Sequence, residues 1–178
     1  MPYAKEEIIV ITKNNFAAIT ATCSSMDEEL FFKHPGVKWS VAENVQRLII
    51  ATRLSTLAYT LPLFLVRLIG GTQPAAAMSY DELALKYKTI LAKGAKAGKL
   101  YTPKPMALKY GKEMMLSNWA NAPGGFVKAL SNVTETRLDN YAVKHPLLGR
   151  ISLSELGYFT AYHTEHHLSI IKNRLTGN

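Results

Sequence analysis

Three of the five histidines of this chain lie close together, at positions 163, 166 and 167. On a helix, His163 and His167 are one turn apart, so both rings face the same way and can bind one metal ion. His166 lies at the edge of that face, and Glu165 points away from it. The zinc-protease motif HExxH is not present, because Thr164 replaces the glutamate that acts as general base. Taken alone, the pair His163 and His167 is best interpreted as two core histidines, since a catalytic metal site normally has a third protein ligand.

A serine followed three residues later by a glutamate is typical of a helix start, because the serine caps the helix and the acid bonds back to the serine backbone. The pattern is short, so it predicts a helix only where an apolar stripe follows. Such a stripe follows Ser40 and Ser152. The pattern occurs at Ser25 and Glu28, Ser40 and Glu43, Ser79 and Glu82, and Ser152 and Glu155.

Hydrophobic periodicity predicts four principal helices and therefore an all-α fold, a four-helix bundle. The helices cover residues 8–23, a segment beginning at 41, residues 126–141 after the breaker APGG, and a segment after Ser152. Between residues 57 and 119 the chain carries scattered prolines and glycines and one accessory helix at 80–93. This stretch predicts a long crossover between the second and third helices, and such excursions are usually functional covers.

The composition is that of a globular protein. The chain has 178 residues, 48% hydrophobic and 19% charged, so we expect residues 1–178 to form a single domain. The start lacks the features of a secretory signal, and with Cys23 as the single cysteine no internal disulfide can form, so we expect a cytoplasmic protein. Residues 61–70 are too short to cross a bilayer and are expected to form core or a pocket wall.

The formal net charge of +8 would favour contact with nucleic acid, anionic lipid or acidic small molecules. The lysines of KGAKAGK at residues 93–99 favour a solvated turn over a nucleic-acid-binding loop, because aromatic stacking partners other than Tyr101 are missing. A nucleic-acid partner is therefore not expected. A membrane is not expected either, because residues 61–70 are too short to cross one. The sequence contains neither the phosphate-binding pattern GxxxxGK[ST] nor the nucleophile elbow GxSxG.

Several other side chains with reactive or aromatic groups are interpreted as structural. His145 precedes a proline just before the last helix, so a hydrogen bond that anchors the loop is favoured over catalysis. Cys23 has no electropositive neighbour that would activate its thiol, and a buried, inert cysteine is expected. Aromatic residues at bundle positions usually belong to the core, and this applies to Tyr158, Tyr162 and Trp119.

Three segments, in this order and spacing, resemble the DinB/YfiT-like superfamily of bacterial four-helix-bundle proteins. They are WSVAENVQRLIIATR (39–53), HPLLG (145–149) and YFTAYHTEHHLSII (158–171). The resemblance implies a bundle with a long crossover, often dimeric. In many members it also implies a divalent metal such as Zn or Ni, held by a histidine of the second helix and the pair of the last. The pair maps onto His163 and His167, but the position of the second-helix histidine is Arg47.

Arg47 cannot be a metal ligand, because its guanidinium has no lone pair to offer. At about 4 Å from a cation, it would cost about 4 kcal/mol per unit charge at an effective dielectric of 20. Glu43 lies one turn earlier, where it could pair with Arg47 or supply an oxygen ligand, and His34 and Gln46 are further substitutes. The expected pocket therefore comprises Arg47, Glu43 and His166 around an incomplete metal triad, so a bound metal is less expected than in the family.

Two classes of function are favoured, and DNA binding is a third, least expected one. The resemblance implies an enzyme that uses a metal to activate a low-molecular-weight thiol for transfer, or a metal-dependent hydrolase. The substitution at Arg47 instead favours a bundle without metal, which persists as a stress-response protein or binds a small anion. In the second case Arg47, His163 and His167 would form a cationic pocket for a carboxylate, phosphate or thiolate.

Overall fold

A computed structural model describes residues 4–72, 77–95, 98 and 101–175. It contains eight α-helices and one two-stranded antiparallel sheet in these residues. The elements in chain order are α1 (Lys5–Ser24), α2 (Glu28–Phe32), α3 (Val41–Thr60), α4 (Leu63–Ile69), α5 (Tyr80–Ala92), α6 (Lys112–Ser131), α7 (Glu135–Asn140), β1 (Ala142–His145), β2 (Gly149–Ser152) and α8 (Leu153–Leu175).

The four long helices α1, α3, α6 and α8 form the bundle, which confirms the predicted all-α class. Helix α3 packs against α6 and α8, and α1 packs against the same two helices, so α1 and α3 lie on opposite sides of the bundle. The segment between α3 and α6 is the predicted long crossover, and its helix α5 packs on α8. That a single domain spans residues 1–178 stays a prediction.

The bundle core is aromatic at its centre. Trp119 and Phe126 of α6 are fully buried, and both meet the ring of Phe16 edge to face, with the Phe16 and Trp119 centroids 5.2 Å apart. The indole Nε1 of Trp119 donates a hydrogen bond to Thr20 Oγ1 (2.9 Å), so the buried polar atom has a partner. This core fixes α3 and α8 side by side, and the candidate site lies along them.

The starts of α3 and α8 agree with the serine and glutamate pattern. The Glu43 backbone N–H donates to Ser40 Oγ and the Ser40 N–H donates to the Glu43 carboxylate (3.2 and 2.7 Å), and Ser152 and Glu155 exchange the same two bonds. Ser79 caps α5 in this way too. The pattern at Ser25 does not start a helix: Ser25 is the C-terminal cap of α1.

The predicted third helix was wrong in its bounds. Helix α6 begins at Lys112, runs through Pro123 and Gly124, and ends at Ser131, while residues 135–140 form the separate helix α7. A proline inside a helix removes one backbone hydrogen bond. Here a continuous apolar face outweighs that loss, because Met115, Trp119, Ala122, Phe126 and Ala129 are all buried at helical spacing.

Residues 61–70 were expected to form core or a pocket wall, but most of them do neither: Val66 is buried in the core and Leu61 is partly buried against it. Helix α4 packs one side against β1, and Gly70 lies so close to the Ala142 carbonyl that no Cβ would fit. The other side faces outward, with Phe64 70% and Leu68 80% exposed. In the described residues, α3 and α4 have the length and hydropathy of a membrane span only when taken together, across a bend of 118°, and no single helix does.

The strands β1 and β2 form a hairpin that the sequence analysis did not predict. His145 pairs with Gly149, and HPLLG forms the turn between them. Each strand has four residues, too few for an alternating pattern to stand out. The hairpin leads directly into α8, and the Tyr59 hydroxyl of α3 donates to the Leu153 carbonyl (3.1 Å) at that junction.

Candidate functional site

The histidine pair lies on the inner face of α8, as the spacing predicted. His163 is 2% exposed and His167 5%, and their ring centroids are 4.5 Å apart. His166 is partly buried at the edge of this face and stacks on the Tyr162 ring. Glu165 is exposed, and its carboxylate accepts a hydrogen bond from the Tyr80 hydroxyl (2.9 Å).

Asn44 of α3 fixes the orientation of His167. Its Oδ1 lies 2.8 Å from His167 Nδ1, and its Nδ2 donates to the Ser40 carbonyl (2.8 Å). Since the Asn44 amide nitrogen is committed to a carbonyl, the oxygen faces the histidine, and Nδ1 of His167 must be the protonated nitrogen. The lone pair of His167 is therefore on Nε2.

His163 lies between aromatic rings and has a buried nitrogen without a partner. Its ring stacks on Phe159 with centroids 5.0 Å apart, and the Tyr87 ring meets it edge to face. In the described part of the chain, nothing hydrogen bonds to its Nε2. Burial, above all, lowers the pKa of His163 well below its usual value and that of His167 to about 3, and Arg47 adds to both shifts. Both imidazoles are neutral at pH 7.

Arg47 is 4% exposed, and its guanidinium is held by neutral groups. One terminal nitrogen donates to the Tyr101 carbonyl (2.6 Å), and the guanidinium carbon lies 5.2 Å from the centre of the Tyr101 ring. The Tyr87 hydroxyl also hydrogen bonds to Arg47. Burial lowers the pKa of Arg47 from its usual value, and Tyr87 opposes that shift. No carboxylate pairs with Arg47 in the residues that the structure describes.

The predicted roles of Glu43 and its substitutes need correction. The Glu43 carboxylate caps α3 at Ser40 and lies 3.5 Å from Nδ1 of His34, so it neither pairs with Arg47 nor points into the pocket. This contact with Glu43 also holds the His34 side chain, which is half exposed. Gln46 accepts a hydrogen bond from the Lys104 backbone N–H (2.6 Å). The Glu43 carboxylate bonds to the cap at Ser40, at the start of the same helix, instead of forming an ion pair with Arg47. This cap explains the orientation of Glu43.

Two cavities meet at Arg47. The larger, of about 500 Å³, is called the histidine cavity here; it is lined by Asn44, Tyr87, His163, His166 and His167. The smaller, of about 140 Å³, is called the hairpin cavity; it is lined by Ser55, Ala58, His145, Leu156 and Phe159. Arg47 lines both, so a molecule in either cavity would lie next to its side chain.

The remaining candidate residues have structural environments. His145 Nδ1 accepts hydrogen bonds from the Leu147 and Leu148 N–H groups (3.3 and 3.0 Å), which confirms the predicted loop anchor. Cys23 is fully buried, and burial raises the pKa of its thiol to about 12, as expected for an inert cysteine. The aromatic residues predicted to be core, Tyr158, Tyr162 and Trp119, are buried.

The family's three-histidine metal site does not fit this set of side chains. His163 and His167 supply two imidazoles, and the third position holds the guanidinium of Arg47, which cannot bind a cation. Among the described residues, no group of three histidine, cysteine or acidic side chains is placed to hold a metal ion.

Three residues of the site were not predicted. Asn44 precedes Arg47 by three residues on α3, and this spacing could have indicated it. Tyr87 is on the predicted accessory helix, but the sequence does not show which face of that helix packs on α8. Tyr101 acts through its backbone carbonyl and its ring, and its place next to Arg47 depends on the path of the crossover, which no motif encodes.

Comparison with known proteins shows which family the chain belongs to. A model of the DinB superfamily matches residues 9–171. The chain belongs to the DinB superfamily. It is similar to the colibactin self-resistance protein ClbS, whose crystal structure is of a complex with a dsDNA. The TM-score is 0.59 at 18% sequence identity, over 99% of this chain and 98% of the other. No curated protein matches the chain significantly.

This similarity corrects the prediction about partners. Nucleic acid was not expected as a partner, because the lysine-rich segment at 93–99 lacks aromatic stacking partners other than Tyr101, and that prediction was wrong. A protein with this fold along nearly its whole length has been crystallised with a dsDNA. The lysine-rich segment was too narrow a criterion, since charge from any part of the surface contributes to DNA contact.

Proposed function

We propose that this DinB-superfamily protein binds a small anionic molecule at Arg47, without a metal. The ligand would be a carboxylate, phosphate or thiolate. The observation that carries the proposal is a buried guanidinium without a carboxylate partner, at the junction of two cavities. The predicted cationic pocket of Arg47, His163 and His167 provides the setting.

A buried charge is costly unless an opposite charge or a full set of hydrogen bonds compensates for it. The bonds from Arg47 to the Tyr101 carbonyl and the Tyr87 hydroxyl are neutral, so they compensate only in part. An anion in the pocket would complete the compensation. The planar guanidinium can offer two parallel N–H donors, which suits a carboxylate or phosphate.

The neutral histidines are compatible with this role. Burial keeps His163 and His167 uncharged near pH 7, so Arg47 supplies the positive charge of the pocket. The carbon edges of the two histidines and the ring of Tyr87 exclude water from a bound anion, which strengthens its attraction to the guanidinium.

The test is a titration with acetate and with inorganic phosphate at constant ionic strength, followed by NMR of the histidine side chains. We expect the resonances of His163 and His167 to shift and saturate in the wild type. Arg47→Met should abolish the shifts, whereas Arg53→Met, which removes an exposed arginine of the same helix, should leave them unchanged. Histidine resonances that do not move with either anion would contradict the proposal.

A second candidate function is DNA binding, and a specific surface favours it. Residues 44–80 contain no acidic residue, and helix α4 within that range packs on β1 of the hairpin. Arg67 of α4 is exposed next to the outward-facing Leu68, and Lys144 is exposed on β1, the strand on which α4 packs. Apolar side chains among basic ones occur in proteins that insert wedges into the minor groove of DNA. The complex of the similar protein ClbS with a dsDNA adds support.

Fluorescence anisotropy with a labelled duplex tests this candidate at two salt concentrations. We expect binding that weakens as salt rises, because cations released from the phosphates drive it. The double variant Arg67→Ser with Lys144→Ser should weaken binding and reduce the salt dependence. Lys13→Ser, an exposed substitution on α1, is the control. Equal binding by the double variant and the control would place the DNA contact elsewhere.

A further inference from the structure

The hydrogen-bonding groups of the histidine cavity also constrain what is attached to the anion. This inference rests on the proposed function and specifies the chemical class of the ligand. Arg47 can only donate hydrogen bonds, so it recognises the charged group and nothing else. A neighbouring group of the ligand would contact other polar side chains of the same cavity, among them Tyr87 and the histidines.

His167 presents a hydrogen-bond acceptor, because Asn44 fixes its tautomer. The Nδ1 hydrogen is committed to Asn44 Oδ1 at 2.8 Å, and the amide cannot turn over without losing its bond to the Ser40 carbonyl. Nε2 therefore keeps an unprotonated lone pair. An imidazole held in this way is a fixed acceptor in a cavity where the guanidinium supplies donors.

His163 adds an independent observation. Its side chain lines the same cavity, it is 2% exposed, and its Nε2 has no hydrogen-bond partner in the described residues. A buried polar atom without a partner is unusual in a folded protein and costs free energy. A polar group of a ligand that reached this atom would remove that cost. His163 therefore favours a ligand that carries a second polar group beside its anionic one.

We infer that the ligand is a hydroxycarboxylate, whose carboxylate binds Arg47 and whose hydroxyl group donates a hydrogen bond to His167 Nε2. An ammonium group could also donate to Nε2, but it would lie beside the buried guanidinium and be repelled by it. A hydroxyl group donates without adding charge. The hydroxyl oxygen keeps its own lone pairs, so it can accept a bond from His163 when Nε2 of that ring carries the hydrogen.

Three small carboxylates distinguish this inference from the proposed function itself. Glycolate has a hydroxyl donor, methoxyacetate has the same oxygen without the hydrogen, and acetate has neither. Dissociation constants would be measured on the wild-type chain by the NMR titration described above. We expect glycolate to bind about 3- to 10-fold more tightly than the other two, which is the range for one added hydrogen bond.

Equal affinity for the three carboxylates would overturn the inference and leave the anion pocket standing, whereas no binding of any of them would overturn both. The Asn44→Leu variant should lose the preference for glycolate over methoxyacetate, because without Asn44 the hydrogen of His167 is no longer held on Nδ1. Nitrogen-15 shifts of wild-type His167 provide a reading that needs no variant. They should show the hydrogen on Nδ1, and a hydrogen on Nε2 would overturn the inference.

Discussion

At position 47 a guanidinium lies where an imidazole would complete a set of three nitrogen ligands. Asn44 bonds to one ring nitrogen of His167 and leaves the lone pair on the other. A histidine at position 47 would offer a further lone pair to a cation, whereas the guanidinium of Arg47 offers only donors, which suit an anion.

The first prediction is that Arg47→His restores metal binding. The variant removes the repelling charge and adds the third imidazole, so a structural or catalytic set of three nitrogen ligands becomes available. Elemental analysis after equilibration with Zn²⁺ or Ni²⁺ should find about one metal per chain in the variant and far less in the wild type. Combining Arg47→His with His163→Phe should remove the gain. A stoichiometric metal in the purified wild type would contradict the prediction.

The second prediction concerns His145 and acid stability. Burial, with a contribution from Arg47, lowers the pKa of His145 from 6.5 to about 4. The folded state therefore binds fewer protons than the unfolded state between these values. The contribution of His145 to stability is complete above pH 6.5 and is lost as the pH falls toward 4, by about 3 kcal/mol in total. Protonation would also place a hydrogen on Nδ1, facing the Leu147 and Leu148 N–H groups.

The substitution His145→Asn isolates this effect, because the asparagine oxygen can take the place of Nδ1 as acceptor but does not titrate. Urea unfolding at pH 6.5 and pH 4 should show a loss of stability smaller by about 3 kcal/mol in the variant than in the wild type. Lys144→Asn, an exposed change in the same strand, serves as control and should behave like the wild type. An unchanged difference between the two pH values would refute the role of His145.

At the scale of elements, the sequence predicted helices wherever local signals and the tertiary packing agree. Helices α3, α5 and α8 begin at a serine with its glutamate three residues on, and their apolar stripes face the core. The start of α6 was missed because the proline and glycines of APGG outweigh the apolar stripe when only neighbouring residues are considered. Burial of that stripe against α1 and α3 is a long-range effect, which no local pattern reports.

The candidate site was predictable to a similar extent. The pair His163 and His167 followed from helical spacing, and Arg47 followed from the family's motif. The orientation of Glu43 was predicted wrongly, because two partners at a suitable spacing were available and the cap at Ser40 prevailed. Tyr87 and Tyr101 lie in the crossover and contact the bundle. These contacts join residues that are far apart in sequence, so no local pattern predicts them.

The third prediction compares two glycines in different elements. A Cβ on Gly70 would overlap the Ala142 carbonyl at the contact between α4 and β1, whereas a Cβ on Gly124, inside α6, would meet no atom within 4 Å. Gly70→Ala should therefore destabilise the chain by about 1–3 kcal/mol. Gly124→Ala should stabilise it by about 0.5–1 kcal/mol, because alanine favours the helix. Chemical unfolding measures both, and the same sign for the two changes would contradict the packing at Gly70.

At the scale of the whole molecule, the anion pocket joins parts that are distant in sequence. Arg47 comes from α3, the histidines from α8, Tyr87 from α5 and Tyr101 from the segment after it. A ligand there contacts the bundle and the crossover at once. Ligand binding therefore stabilises the folded state as a whole, because the unfolded chain has no comparable site.

The fourth prediction is that glycolate raises the melting temperature of the protein. At a concentration of about 100 times its dissociation constant, a ligand specific for the folded state adds about 2.7 kcal/mol of stability. Thermal unfolding with glycolate, and with chloride at equal ionic strength, separates specific binding from screening. Arg47→Met should remove the difference between the two salts and Arg53→Met should keep it. An equal melting temperature in both salts with the wild type would count against a folded-state site.

The position of Arg47 between the histidine cavity and the hairpin cavity has a consequence for ligand size as well as charge. Because the Arg47 side chain lines both, we expect Arg47→Ala to enlarge the space open to a ligand at the same time as it removes the charge. The residue at position 47 therefore affects which ligands fit as well as which ligands are attracted.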